Sequence, residues 1–133
     1  MNENIIKLNV KQGNYLGFFD KTKLGLILGK VVEFDDNSVL FDNCEERVDY
    51  ASIRRIEIKP YNCESFGWKR YDTRLSSFII EENEADVIFD NEQPVLEYKT
   101  ESGIKKVNIK YLDELQEAFR LGLHKEIPSI ELR

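Results

Sequence analysis

Apolar residues along the chain come in short runs separated by turn-forming residues, which is typical of many short strands with tight connections. Such runs predict strands as far as residue 110. The predicted strands are Ile5–Val10, Tyr15–Phe19, Gly25–Phe34, Val39–Phe41, Arg47–Tyr50, Ile53–Lys59, Phe78–Glu82, Asp86–Phe89, Val95–Thr100 and Ile104–Lys110. Gly29, inside the third strand, predicts a bend or a bulge.

One segment near the C-terminal end has helical periodicity instead. Its apolar residues recur at three- and four-residue steps: Leu112, Leu115, Ala118, Phe119, Gly122 and Leu123. This spacing predicts a helix over Leu112–Leu123 that packs on the sheet. Leu121, half a turn away, is expected to be exposed. Residues 61–76 show neither period, and Ile130–Leu132 after Pro128 is a predicted edge strand.

These elements predict a mainly β protein of the α+β class, with a strongly bent antiparallel sheet and one C-terminal helix. The chain has 133 residues, the usual size of one domain, so residues 1–133 are expected to form a single domain. No apolar run approaches the roughly 20 residues that cross a bilayer, and residues 1–4 lack the basic start of a signal peptide. We expect a cytoplasmic protein without membrane association.

The charge of the chain is unevenly distributed. The formal net charge is −6, which argues against a general attraction to phosphate backbones or anionic lipid. Residues 81–97 hold seven acids and no base, whereas residues 54–74 hold six bases and three acids. The sequence therefore predicts a bipolar surface.

The two cysteines, Cys44 and Cys63, indicate little about chemistry. Two cysteines do not make the dense disulfide framework of a small secreted domain. With a single histidine in the chain they cannot complete a structural zinc site. Free thiols, no metal and no cofactor are expected.

Residues 24–58 carry a recognisable order of strands and turns. An apolar strand and a glycine lead into Gly29–Asp35, a turn, Ser38–Asn43, and then Tyr50–Ile53. This pattern over Leu24–Ile58 resembles the Sm-like fold of the bacterial RNA chaperone and its relatives. The resemblance implies a small bent barrel, a ring-shaped oligomer and binding of uridine-rich RNA. Of that chaperone's Tyr-Lys-His signature, only Tyr50 carries over.

A second pattern covers more of the chain. A Ser-x-Ile corner at Ser52 leads through a long excursion to a last hairpin, Val95–Lys110, and a capping helix. Over Arg47–Leu123 this order is similar to that of bacterial pleckstrin-homology-like domains, and the similarity implies a binding scaffold without fixing a ligand. The expected fold is a pleckstrin-homology-like roll or an Sm/SH3-like small barrel.

A loop that interleaves aromatic and basic residues is the first candidate site. Single-stranded nucleic acid binding uses this mixture for stacking and phosphate contact, and Trp and Arg are enriched at protein interfaces. The candidate binding surface consists of Trp68, Lys69, Arg70, Tyr71 and Arg74. In a third interpretation Phe66 and Trp68 fold back onto the core and only the charges face water.

A run of acids is the second candidate site. The candidate acidic surface consists of Glu81, Glu82, Glu84, Asp86, Asp90 and Glu92. Complementary charge steers encounter with a basic partner. An ordinary solvated face would have the same composition.

One pattern is typical of an enzyme. Restriction-type nucleases place an aspartate on one strand and Glu-x-Lys on the next, because two carboxylates hold a divalent metal while the lysine positions water. Here Asp86 is followed eleven residues later by Glu97, with Lys99 on the same face of the strand. Any half-exposed strand shows the same alternation, and the helices that flank this motif in nucleases are not predicted.

The sequence favours a non-catalytic protein-interaction module, of the inhibitor or immunity type, that binds a basic partner. No catalytic residue is expected. An Sm-like RNA-binding protein and a metal-dependent nuclease are the alternatives.

Overall fold

The computed structural model describes residues 10–19, 25–70, 77–128 and 130. Its strands are β1 (Tyr15–Phe19), β2 (Leu26–Phe34), β3 (Ser38–Phe41), β4 (Val48–Asp49), β5 (Ile53–Arg54), β6 (Lys69–Arg70), β7 (Ser77–Glu81), β8 (Ala85–Asp90), β9 (Gln93–Thr100) and β10 (Gly103–Asn108). Its helices are a 3₁₀ turn (Tyr50–Ser52), α1 (Pro60–Cys63) and α2 (Leu112–Leu123). The predicted mainly β, α+β class with a C-terminal helix is confirmed.

The chain divides into two compact units, Met1–Ile56 and Glu57–Arg133, and each contains one five-stranded antiparallel sheet. In the first unit the strand order is β4-β3-β2-β1-β5, so β1 pairs with both β2 and β5. Alternate residues of these strands face one core. It contains Val10, Leu16, Phe18, Val31, Val39, Phe41, Val48, Tyr50 and Ile53. Among the described residues β4 and β5 do not pair with each other, so the sheet is not a closed barrel.

Gly29 lies beneath a close contact between two rings of this core. It stands in register opposite Leu16, and a Cβ there would lie 2.8 Å from Phe18 and 2.9 Å from Phe41. Those two rings stack with their centroids 4.5 Å apart, although their strands are separated by β2. Gly29 therefore allows the two rings to meet across β2. The predicted irregularity lies elsewhere, because the register shifts between Val31 and Glu33.

The turn between β2 and β3 is held by its own Asp35 and by Arg47, which precedes β4. The carboxylate of Asp35 accepts hydrogen bonds from the N–H groups of Asn37 and Ser38, both at 2.8 Å. Arg47 forms ion pairs with Glu33 and, at 3.2 Å, with Asp35. Backbone donation from Asn37 is the largest of the effects that lower the pKa of Asp35. A carboxylate fixed in this way favours the charged form.

The second unit packs a helix against its sheet, whose strand order is β10-β9-β8-β7-β6. Helix α2 lies against β9 and buries Leu112, Leu115 and Phe119, while Leu121 is exposed as predicted. The carboxylate of Glu114 accepts the N–H groups of Lys110 and Tyr111 at the start of the helix. This bond satisfies donors that a helix start otherwise leaves open.

Several predicted bounds change in the structure. The predicted strand Ile53–Lys59 is reduced to β5, followed by a single bridge from Glu57 to Tyr111. The end of the predicted strand Arg47–Tyr50 becomes the 3₁₀ turn, and the stretch predicted to be irregular contains most of α1 and all of β6. Predicted strands at 5–10 and 130–132 lie largely outside the described residues. No helix in the described part of the chain is long and apolar enough to span a membrane.

Candidate functional site

Trp68 lies in the interior of the second unit. Its side chain is only 5% exposed, and its ring meets that of Phe66 edge to face, with the centroids 5.2 Å apart. The backbone N–H of Trp68 donates to the backbone carbonyl of Cys63 at 3.2 Å, which ties the loop to α1. A ring in this position cannot stack on a nucleic acid base. The interpretation in which Trp68 folds back onto the core therefore matches its position.

The basic residues after Trp68 face solvent. Lys69 and Arg70 form the exposed strand β6. Arg70 donates to the Glu64 carboxylate at 3.0 Å, and its guanidinium lies 4.7 Å from the centroid of the Phe78 ring. Tyr71 and Arg74 lie outside the described residues. Of the predicted binding surface, Lys69 and Arg70 are therefore seen at the surface, and Arg70 is already paired.

The acidic stretch is divided between the two ends of β8. Glu81, Glu82 and Glu84 lie at the turn that precedes β8, and Asp86 is its second residue, whereas Asp90 and Glu92 lie at the turn that follows it. The six-residue strand separates the two groups by roughly 15–20 Å. Glu84 is also neutralised, because Lys125 binds its carboxylate at 2.6 Å. The acids of this stretch do not lie side by side on one patch.

The residues of the nuclease pattern do come together. Asp86 stands directly opposite Glu97 in the register of β8 and β9, so the two carboxylates share one face of the sheet. Both line a small cavity of about 50 Å³ together with Lys99. Lys106, opposite Glu97 on β10, has its Nζ atom 3.8 Å from the Glu97 carboxylate. No group of three or more potential ligands for a metal ion occurs among the described residues.

An open groove in the described part of the first unit has a volume of about 570 Å³. One wall is formed by Phe18 and Phe19 at the end of β1, and the other by residues 43–49. Phe18 is buried, but Phe19 is 47% exposed. Asn43 donates to the Leu28 carbonyl at 2.8 Å, and Asp42 accepts the N–H of Lys30 at 3.0 Å, so the loop that forms the second wall is anchored to β2. A pre-formed groove of this volume is typical of binding sites.

The groove carries unbalanced negative charge. Glu45, Glu46 and Asp49 line it and are exposed, and none of the three forms an ion pair with another described residue. Arg47 is the single cation among its described lining residues, but its guanidinium is engaged by Glu33 and Asp35. Since those two partners do not line the groove, its three carboxylates have no cationic partner among the described residues, although the Arg54 guanidinium lies 5.4 Å from the centroid of the Phe19 ring.

The two thiols lie in different environments. Cys44 lines the groove, is partly exposed, and lies 3.3 Å from the Glu46 carbonyl. Cys63 is buried in the second unit, and burial raises the pKa of its thiol to about 12. Because the thiolate is the reactive form, Cys63 is expected to be inert and Cys44 to report on occupation of the groove. Both thiols are free, as predicted.

Sequence reasoning missed the groove acids. They occur as a short run interrupted by Arg47, and the feature that makes them an acidic site is the engagement of Arg47 by residues 12 and 14 positions earlier. The exposed Phe19 had no separate signal, because it ends an apolar strand whose other residues are buried.

Comparisons of the chain with protein-family models, curated proteins and solved structures found no match.

Proposed function

We propose that the protein is a non-catalytic interaction module that binds a basic segment of a partner protein in the groove of its first unit. The observation that carries the proposal is the set of three carboxylates, Glu45, Glu46 and Asp49, which form no ion pair with another described residue and line the same groove as the exposed Phe19 ring. Lysine and arginine side chains combine an apolar stem with a charged head, which suits a groove with one aromatic wall and one acidic wall. An inhibitor or immunity-type protein acting on a basic partner would use such a surface.

The rigidity of the groove supports this proposal. Loop 42–47 is hydrogen-bonded to β2, and Arg47 is held by ion pairs, so little ordering is required when a ligand binds. The carboxylates lie at the surface, where complementary charge mainly accelerates association. We therefore expect binding that weakens as salt is added.

Capture from the native host's lysate tests the proposal, with nuclease treatment to remove nucleic acid. The groove variant carries Glu45→Gln, Glu46→Gln and Asp49→Asn. The matched control variant carries Glu82→Gln, Glu92→Gln and Glu101→Gln, which remove the same charge at exposed positions of the second unit. Wild type and control should retain a nuclease-resistant protein partner, whereas the groove variant should bind it at least about tenfold more weakly.

Alkylation of Cys44 supplies an independent readout of the same groove. The recovered partner should slow the reaction of Cys44 with iodoacetamide, because the thiol lines the proposed contact. Equal capture by wild type and groove variant would contradict the proposal. Loss of the partner from the control variant alone would assign binding to the acidic stretch that surrounds β8.

An Sm-like RNA-binding function has one supporting observation, the strand order of the first unit. There β1 pairs with both β2 and β5, and a 3₁₀ turn precedes β5, as expected for a small Sm/SH3-like meander. The acidic groove and the buried Trp68 disfavour binding of phosphate and of bases. Retention of RNA in the untreated capture, with protein partners lost after nuclease, would favour this alternative.

A metal-dependent nuclease is the second alternative, favoured by the alignment of Asp86 with Glu97 beside Lys99. Two carboxylates are few ligands for a divalent metal, which usually takes six or more oxygens, several of them from water and substrate. Plasmid cleavage in magnesium or manganese tests this function. Activity that is abolished by Glu97→Gln would establish it, and absence of cleavage would remove it.

A further inference from the structure

Strand β10 forms one end of the sheet of the second unit. Its six residues, Gly103–Asn108, pair with β9 on one side, and no other described strand pairs with them. All of these residues except Val107 are exposed, and the side chain of Ile104 is 59% exposed. An end strand of this length presents a row of backbone donors and acceptors to solvent.

The direction of the free backbone donors follows from the hairpin. Thr100 and Gly103 close a two-residue turn as directly opposed partners, and the N–H of Ile109 donates to the Pro94 carbonyl at 3.2 Å. Successive residues of a strand direct their N–H groups to opposite sides. The N–H groups of Ile104, Lys106 and Asn108 therefore point away from β9, toward the edge that pairs with no other described strand, here called the open edge.

The hairpin that contains this strand is a second basic stretch of an acidic protein, besides residues 54–74. Residues 97–110 contain four lysines and two glutamates, against a net charge of −6 for the whole chain. Lys105 forms no ion pair with another described residue. Lys106 has 67% of its side chain exposed, and its contact with Glu97 is long, at 3.8 Å. Positive charge thus accompanies the free donors.

We propose that the open edge of β10 receives an extended acidic segment of a partner protein by strand addition. Main-chain hydrogen bonds from Ile104, Lys106 and Asn108 supply affinity, and Lys105 and Lys106 select carboxylate side chains. A second copy of this chain fits less well, because two antiparallel β10 strands would bring their lysines together, and like charges in opposed positions are destabilising. This surface is separate from the groove, and the inference does not depend on the groove's function.

Fluorescence anisotropy with a short fluorescein-labelled peptide that alternates glutamate with valine tests the inference. The control peptide alternates lysine with valine. Wild-type protein should bind the acidic peptide and not the basic one. Lys106→Pro removes one outward-facing N–H at a position where an edge strand tolerates proline, and Lys106→Ala removes the same charge but keeps the donor. The proline variant should bind about tenfold more weakly than the alanine variant.

The remaining outcomes separate strand addition from other roles of the same lysines. Lysine residues also prevent edge strands from pairing with other chains. If that is the role of these lysines, neither peptide should bind wild-type protein, and this result would overturn the inference. Equal affinity of the alanine and proline variants would also overturn it, because binding would then depend on charge alone. A uridine oligonucleotide could also displace the acidic peptide. Equal displacement from the alanine and proline variants would assign the lysines to nucleic acid binding. If the acidic peptide slowed the alkylation of Cys44 by iodoacetamide, the peptide would be assigned to the groove instead.

Discussion

The two sheets bury their apolar faces in different ways. In the first unit, described residues of the sheet pack against one another, and Phe18 of β1 stacks on Phe41 of β3 above Gly29. In the second unit a helix packs on the sheet, and Gly122 of α2 meets the Tyr98 ring, which would lie 2.6 Å from an added Cβ. A glycine lies at a close approach in each unit.

The difference lies in what surrounds each glycine. The rings above Gly29 are both buried, so neither can move away without disturbing the core. Tyr98 is partly exposed, and the atoms that approach Gly122 are at the far end of its side chain. A core made within one sheet therefore tolerates less change at its tightest contact than a core made between a sheet and a helix.

Removal of a large core ring gives the largest expected effect. Phe18→Ala in the first unit and Phe119→Ala in the second should each lower the free energy of unfolding by about 3–5 kcal/mol. Urea denaturation followed by the fluorescence of Trp68, the single tryptophan, reports directly on the second unit. If residues 1–133 unfold as one domain, as the sequence predicts, both variants shift the Trp68 transition. A Trp68 transition unchanged by Phe18→Ala would instead show two independently folding units.

The glycine positions give the next largest effect. Gly29→Ala should cost about 2 kcal/mol, because the added methyl overpacks two fixed rings. Gly122→Ala should change stability by less than about 1 kcal/mol, since higher helix propensity offsets the displacement of Tyr98. Urea midpoints of the two variants measure the contrast. Equal losses would show that α2 is held as tightly as the core of the first unit.

A clear apolar pattern explains which elements were predictable. The helix Leu112–Leu123 has the predicted bounds, because one buried face repeats along it. The strand Tyr15–Phe19 also has the predicted bounds, because its first four residues form a continuous buried run. The strand expected over Ile53–Lys59 ends at Arg54, where Arg54 and Arg55 interrupt the alternation before it resumes at Ile56. Alternation shows which residues share a face, but pairing needs a neighbouring strand that local sequence does not reveal.

The candidate sites were less predictable, because each depends on contacts that residue spacing does not reveal. The burial of Trp68 depends on α1 and Phe66, and the charge of the groove depends on the ion pairs of Arg47. The opposition of Asp86 and Glu97 was the exception. There the short hairpin between β8 and β9 makes sequence distance a guide to spatial distance.

A smaller effect is expected at the turn between β8 and β9. Asn91 and Glu92 have φ values of 51° and 67°, so both central residues of this two-residue hairpin are left-handed. Glycine adopts this conformation without the steric cost that glutamate has, so Glu92→Gly should stabilise the second unit by about 1 kcal/mol. Glu92→Ala controls for the lost carboxylate. Thermal midpoints that are equal for the two variants would contradict this reasoning.

The smallest effect is expected at Asp35 in the first unit, whose pKa is lowered chiefly by the N–H of Asn37. A carboxyl group whose pKa is lowered by folding stabilises the protein at pH values above its unfolded-state pKa of about 3.9. This stabilisation is lost as the pH falls through the folded-state pKa. Asp35→Asn should therefore be less stable than wild type at neutral pH, with the difference closing below about pH 4. Urea midpoints across this range measure the difference, and Asp36→Asn controls for charge. A difference that is independent of pH would contradict the assignment.

The contact above Gly29 also couples four positions of this sequence in evolution. A side chain at position 29 meets Phe18, Phe41 and the Asn43 side chain at once, so its cost depends on which residues occupy those positions. A smaller residue at position 18 or 41 leaves a cavity that a Cβ at position 29 can partly fill, so the two changes compensate for each other. Larger residues at position 29 should therefore occur together with smaller residues at position 18 or 41.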